Sequence, residues 1–130
     1  MDKIIGFIGC GNMGKAMVGA LAQSPAIGSK KMIVSAKREA SLQAIRERWA
    51  IETTLSNREV ARKADFVILA VNPNLYRQVA DEIADVISEE KVIITIAAGI
   101  GLKELEEWFG KQVKIVKTMP NTPVLANAGM

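Results

Sequence analysis

Histidine is absent from these 130 residues, and cysteine occurs once, at Cys10. Without an imidazole the chain holds no Ser-His-Asp triad, no Cys-His pair and no His-ligated metal. A lone thiol excludes an internal disulfide and a cysteine-rich zinc site. Aromatic residues make up 5% and charged residues 24%, yet 49% of the chain is hydrophobic. That is enough to bury a sizeable core, and it is not a disordered composition. No apolar run approaches the roughly 20 residues of a membrane-spanning helix; the longest uncharged stretch without an obvious break is Val92 to Gly101. Met1-Asp2-Lys3 leads straight into a strand-like run, without the layout of a signal peptide. The expectation is a cytoplasmic chain of single-domain size, with no metal site and no membrane partner.

The 17 basic and 14 acidic residues give a net charge of +3 that is unevenly spread. Residues 1–65 carry 11 basic and 6 acidic groups, and residues 66–130 carry 6 and 8. Such a basic first half suits a phosphorylated small ligand as well as a nucleic acid. The basic groups are not interleaved with aromatics and no nucleic-acid motif occurs, which makes nucleic acid the weaker reading.

Strand-length apolar runs alternate with segments of helical spacing. The runs are Lys3–Ile8, Lys31–Ser35, a weak Ile51–Thr54, Phe66–Val71, Val92–Ile96 and Val113–Val116. Between them, Met13, Ala16, Met17, Ala20 and Leu21 stripe one helix, and Leu42, Ile45 and Trp49 a second. Tyr76, Val79, Ile83 and Val86 stripe a third; Leu102, Leu105 and Phe109 mark a short fourth. Phe66–Val71 is apolar at every position, which predicts a strand covered on both faces. Alternation of this kind requires crossover helices. The predicted fold is α/β, a doubly wound, mainly parallel Rossmann-type sheet of about six strands with helices on both faces. Its ligand crevice lies at the carboxyl ends of the strands.

The residues after each strand are therefore the informative ones. Gly9-Cys10-Gly11-Asn12-Met13-Gly14 follows the first strand and opens a helix. In such a turn Gly9 permits the tight bend, Gly11 lets backbone approach a pyrophosphate, and Gly14 lets helix and strand pack closely. The helix start offers free N–H groups and a positive dipole end to phosphates. A small residue suffices at Cys10; a reactive thiol is the lesser reading. An NAD-binding chain usually carries an acid at the end of the second strand, whereas this one has Ser35-Ala36-Lys37-Arg38. Donors and positive charge there favour a 2′-phosphate, hence NADP(H) with NAD(H) still possible; a solvated basic start to the next helix is the alternative. Ser56 and Glu59 around Asn57 have the spacing of a capping box. Ala70-Val71-Asn72-Pro73 and Ile96-Ala97-Ala98-Gly99 end two central strands, where small residues suit either a ligand or close packing. In Met119-Pro120-Asn121-Thr122-Pro123, Asn and Thr suit a nicotinamide or a carboxylate, and the prolines suit a rigid exit from the sheet. Asp65 reads as structural, and no general acid or base stands out.

On the fragments GFIGCGNMGKAM (6–17), ILAVNP (68–73), TIAAGI (95–100) and MPNTP (119–123), in that order, the chain resembles the pyrroline-5-carboxylate reductases. That family reduces L-1-pyrroline-5-carboxylate to L-proline with NAD(P)H, in proline biosynthesis. The resemblance covers essentially all 130 residues and implies that they form the N-terminal coenzyme-binding domain. The family's helical C-terminal domain, which makes the homo-oligomer and supplies most of the imino-acid site, would be missing. By resemblance the pyrophosphate lies on Ile8, Gly9, Cys10, Gly11, Asn12 and Met13, and the adenosine end near Ser35, Ala36, Lys37, Arg38 and Asn57. The nicotinamide side then lies near Ala70, Val71, Asn72 and Pro73 and near Ile96, Ala97 and Ala98, with Met119, Asn121 and Thr122 toward the substrate. Family members commonly carry a lysine where this chain has Asn72. The isolated chain is expected to bind coenzyme with little turnover. Two alternatives stay open: a non-catalytic NADP(H)-sensing relative, and the coenzyme domain of another dehydrogenase, one acting on β-hydroxyacids or deazaflavins.

Overall fold

The structure, a computed structural model, describes residues 3–10, 12–96, 99–110 and 113–117. Six parallel strands form one sheet: β1 (Ile5–Ile8), β2 (Met32–Ser35), β3 (Glu52–Thr54), β4 (Phe66–Leu69), β5 (Val92–Thr95) and β6 (Lys114–Lys117). Their order is β3-β2-β1-β4-β5-β6. Five helices connect them: α1 (Asn12–Ala22), α2 (Glu39–Trp49), α3 (Asn57–Lys63), α4 (Tyr76–Ile83) and α5 (Leu102–Phe109). The expected sheet and its helix-covered faces are both present.

The pleat sorts the strand side chains into two cores. Ile8, Ile33, Val67, Leu69 and Ile93 pack with Val60 and Ala61 of α3, with Tyr76, Val79, Ala80 and Ile83 of α4, and with Leu105 and Phe109 of α5. Ile5, Phe7, Met32, Val34 and Ile68 pack on the other face with Val18 of α1 and with Leu42 and Ile45 of α2. Neighbouring residues of one strand thus serve opposite cores, which is why the central strands read as unbroken apolar runs. Each buried Leu, Ile or Phe contributes about 1.5–3 kcal/mol. Asp65 proves structural: its carboxylate accepts the Ile4 N–H at 2.8 Å and ties β1 to β4.

Three expectations need correction. Met17 and Leu21 pack against the core as expected, but Ala16 and Ala20 are exposed, and Gly14, Val18 and Gly19 complete the inward side of α1. Gly14 abuts Ala70 and Gly19 abuts Trp49, so the helix seats by close approach of its smallest residues rather than by its alanines. Leu102, at the first turn of α5, is 48% exposed. The helix over Tyr76 to Val86 is α4 followed by a 3-10 turn, Ala84–Val86.

Candidate functional site

The order of the sheet reverses between β1 and β4, and open α/β sheets bind ligands beyond the carboxyl ends of the strands at such a point. Gly9 follows β1 with φ +83, a left-handed conformation that suits glycine. Its N–H donates to the Ser35 carbonyl at 3.0 Å. A Cβ here would overlap Val71 Cγ1 and lie 3.2 Å from the Val71 nitrogen, so the turn presses directly on the chain leaving β4. At Gly14 a Cβ would lie 3.0 Å from Ala70 Cβ. Gly14 therefore packs α1 against the end of β4, the helix–strand contact its spacing predicts. The first turn of α1 carries no acidic residue to neutralise its positive end.

Ser35 is fully buried. Its hydroxyl donates to Asn57 Oδ1 at 2.7 Å, with the Phe7 carbonyl a weaker alternative at 3.4 Å. Ser35 thus lines neither cleft and braces Asn57 from behind. Asn57 opens α3, and its Nδ2 donates to Glu82 Oε1 of α4 at 2.8 Å. Ser56 caps α3 by accepting the Glu59 N–H at 3.2 Å. The other half of the expected capping box is absent, because Thr54 intervenes. Its hydroxyl accepts the Ser56 N–H at 3.0 Å and donates to Glu59 at 2.5 Å. The Thr54 hydroxyl, and next to it Lys63, hold the Glu59 carboxyl below its ordinary range.

Two adjoining clefts open over these strand ends. One, of about 160 Å³, is lined by Gly9, Ala36, Lys37, Leu55, Asn57, Val71, Leu75, Gln78, Val79 and Glu82. The other, of about 330 Å³, is more open and is lined by Gly9, Cys10, Ala36, Lys37, Arg38, Ser41, Ala70, Val71, Asn72 and Leu75. Lys37 and Arg38 are exposed at the end of β2. The carboxylate that follows them, Glu39, is taken by Arg46 at 2.6 Å. Burial pushes the half-buried Cys10 thiol up, and nearby Lys15 pulls it back only in part. A thiol held protonated is a poor nucleophile, which favours the reading of Cys10 as a small turn residue.

A family model described as "NADP oxidoreductase coenzyme F420-dependent" matches residues 4–99. The chain belongs to this family. Among curated proteins it is similar to the pyrroline-5-carboxylate reductase of Escherichia coli (strain K12), at 39% identity over 130 residues, all of this chain and 48% of that protein. Among solved structures it is similar to a pyrroline-5-carboxylate reductase from Coxiella burnetii, with TM-score 0.89 and 32% identity over 97% of this chain and 47% of that one. It is also similar to Plasmodium falciparum pyrroline carboxylate reductase with NADP bound, with TM-score 0.81 and 30% identity over 96% of this chain and 45% of that one. The chain spans about half the length of these relatives. The likeness read from the four sequence fragments therefore holds over the whole chain.

In this member of the NADP oxidoreductase family, the residues singled out from sequence divide by location. Gly9, Cys10, Ala36, Lys37, Arg38, Asn57, Ala70, Val71 and Asn72 line one or both clefts. Ile8, Gly14 and Ser35 are buried beneath or beside them. Asn12 and Met13 open α1. Pro73 begins a 3-10 turn, Pro73–Leu75, that Asn72 caps by accepting the Asn74 N–H at 3.2 Å. Ile96 lines neither cleft; its N–H faces the Tyr76 hydroxyl at 3.4 Å. Gly11, Ala97, Ala98, Met119, Asn121 and Thr122 lie outside the described residues. Sequence reasoning missed the far wall, made of Leu55, Leu75, Gln78 and Glu82. Gln78 and Glu82 sit one helical turn apart on α4, a spacing that in sequence reads as a solvated helix face.

Proposed function

We propose that residues 1–130 are the NADP(H)-binding domain of a pyrroline-5-carboxylate reductase, an oxidoreductase that transfers hydride from NAD(P)H to the imine of L-1-pyrroline-5-carboxylate and yields L-proline. One observation carries this reading: the left-handed Gly9 turn at the switch point faces, across a shared cleft, two free cations and no free carboxylate at the end of β2. A 2′-phosphorylated dinucleotide fits those groups. The side-chain-free backbone at Gly9 gives its pyrophosphate room, and Lys37 and Arg38 answer its 2′-phosphate. The coenzyme, when bound, supplies the hydride. The chain's own part is to hold it: α1 by its N-terminal N–H groups, Asn57 by its amide, and Val71 by packing. The imino-acid contacts and the homo-oligomer contacts belong, on this reading, to the other half of a longer cytoplasmic protein.

The test has two parts. Titrating the 130-residue chain with NADPH and NADH, followed by coenzyme fluorescence, is expected to show both binding and NADPH binding more tightly. A chain extended to the relatives' length should consume NADPH with pyrroline-5-carboxylate and release proline. Absence of coenzyme binding refutes the domain assignment; binding without consumption refutes the substrate and leaves a coenzyme-sensing role.

A further inference from the structure

We propose that Glu82 is a positioning residue for coenzyme recognition: its carboxylate fixes which way round the Asn57 amide stands in the cleft. The inference rests on the coenzyme-binding reading above. Asn57 lies between two partners on different elements. Ser35 Oγ meets its Oδ1 at 2.7 Å, and Glu82 Oε1 meets its Nδ2 at 2.8 Å. The Ser35 hydroxyl can donate or accept, so by itself it tolerates either orientation of the amide. An ionised carboxylate only accepts, so Glu82 dictates that the amide nitrogen faces α4 and the oxygen faces β2. Asn57 is then left with one N–H and one lone pair for a ligand in the 160 Å³ cleft, which both Asn57 and Glu82 line.

The helix that carries Glu82 is held independently of this contact. Arg58 donates to the Glu82 backbone carbonyl at 2.9 Å and grips Asp85 with two bonds, at 2.7 and 3.1 Å. Ile83, the next residue, is fully buried in the core. Removing the exposed Glu82 side chain therefore leaves α4 seated and tests orientation alone.

The experiment is a double-mutant cycle in the 130-residue chain, with dissociation constants for NADPH and NADH. Glu82→Ala is expected to weaken both coenzymes about tenfold, as for loss of one hydrogen bond to a charged group, with Tm unchanged. Asn57→Ala should cost at least as much, and Glu82→Ala combined with Asn57→Ala should cost no more than Asn57→Ala alone. Without coenzyme, the NMR signals of the Asn57 side-chain amide should move in Glu82→Ala. Additive losses would assign Glu82 a contribution independent of Asn57 and overturn the proposal, as would unchanged affinity or unmoved amide signals. If the unmutated chain binds neither coenzyme, the domain reading itself fails, and this inference falls with it.

Discussion

Replacing Gly9 by alanine tests whether the turn after β1 is a close backbone cradle. Two costs arise. A residue with a Cβ held at φ +83 gives up roughly 1–2 kcal/mol relative to glycine. The new methyl also overlaps Val71 Cγ1, and overpacking of that kind costs roughly 1–3 kcal/mol. The sum is about 3 kcal/mol, or a fall in Tm of about 10 °C for a domain of this size. Equilibrium urea unfolding followed by circular dichroism measures it. Adding Val71→Ala removes the clashing methyl and leaves both the φ cost and the backbone contact at the Val71 nitrogen, 3.2 Å away. The double variant should therefore be about 1–2 kcal/mol more stable than the sum of the two single changes. A Gly9→Ala chain as stable as the parent, or strictly additive single changes, would refute the account of this turn.

Replacing Lys37 and Arg38 together with alanine should weaken NADPH about tenfold and leave NADH nearly unchanged if these two exposed cations answer the 2′-phosphate as proposed; equal loss for both coenzymes would sink that assignment. The hydrogen bond and charge of Arg58 hold the Asp85 carboxyl below its ordinary range. A carboxyl whose folded pKa is lowered contributes stability that is present above its unfolded pKa and is lost as pH falls through its folded pKa. Asp85→Asn should therefore destabilise the chain at neutral pH and converge with the parent in acid, and a difference independent of pH in urea unfolding would count against the ion pair. Tyr76→Phe removes a buried hydroxyl that donates to the Leu69 carbonyl at 2.8 Å, at the end of β4. Leaving that carbonyl short of a partner should cost about 1–3 kcal/mol in the same unfolding assay, and a cost under a few tenths would show that the bond contributes nothing.

Much of the sheet was legible because its central strands are covered on both faces. β1, β2, β4 and β5 announce themselves as apolar runs, and each proves a residue or two shorter than the run that signals it. The edge strands gave weaker signals for a physical reason. β3 is Glu-Thr-Thr, with one neighbour and one long side in solvent, and β6 alternates exposed with half-buried residues. The face of α1 was legible only at Met17 and Leu21, which pack against the core, since alanine and glycine carry little hydrophobic contrast. There the helix is placed by where backbones can touch, at Gly14 against Ala70 and Gly19 against Trp49.

The site divides along the same line. The side proposed to meet the phosphates follows from local chemistry: a glycine turn, a helix start, and cations in place of an acid. Its far wall follows only from packing α3 against α4, which brings Asn57 to Glu82 across 25 positions of sequence. Ser35 shows how the two kinds of information interact. Its residue type suggests a phosphate donor, but its place in the pleat does not. Ser35 lies two residues beyond Ile33, and alternate residues of a strand share a face, so its hydroxyl belongs to the α3 side of the sheet, where Asn57 takes it up. Strand periodicity could thus have placed the Ser35 hydroxyl beside Asn57 from sequence alone. On the proposed reading the consequence reaches the coenzyme: the exposed Glu82 carboxylate, inconspicuous in sequence, orients the amide that the buried Ser35 hydroxyl braces from behind.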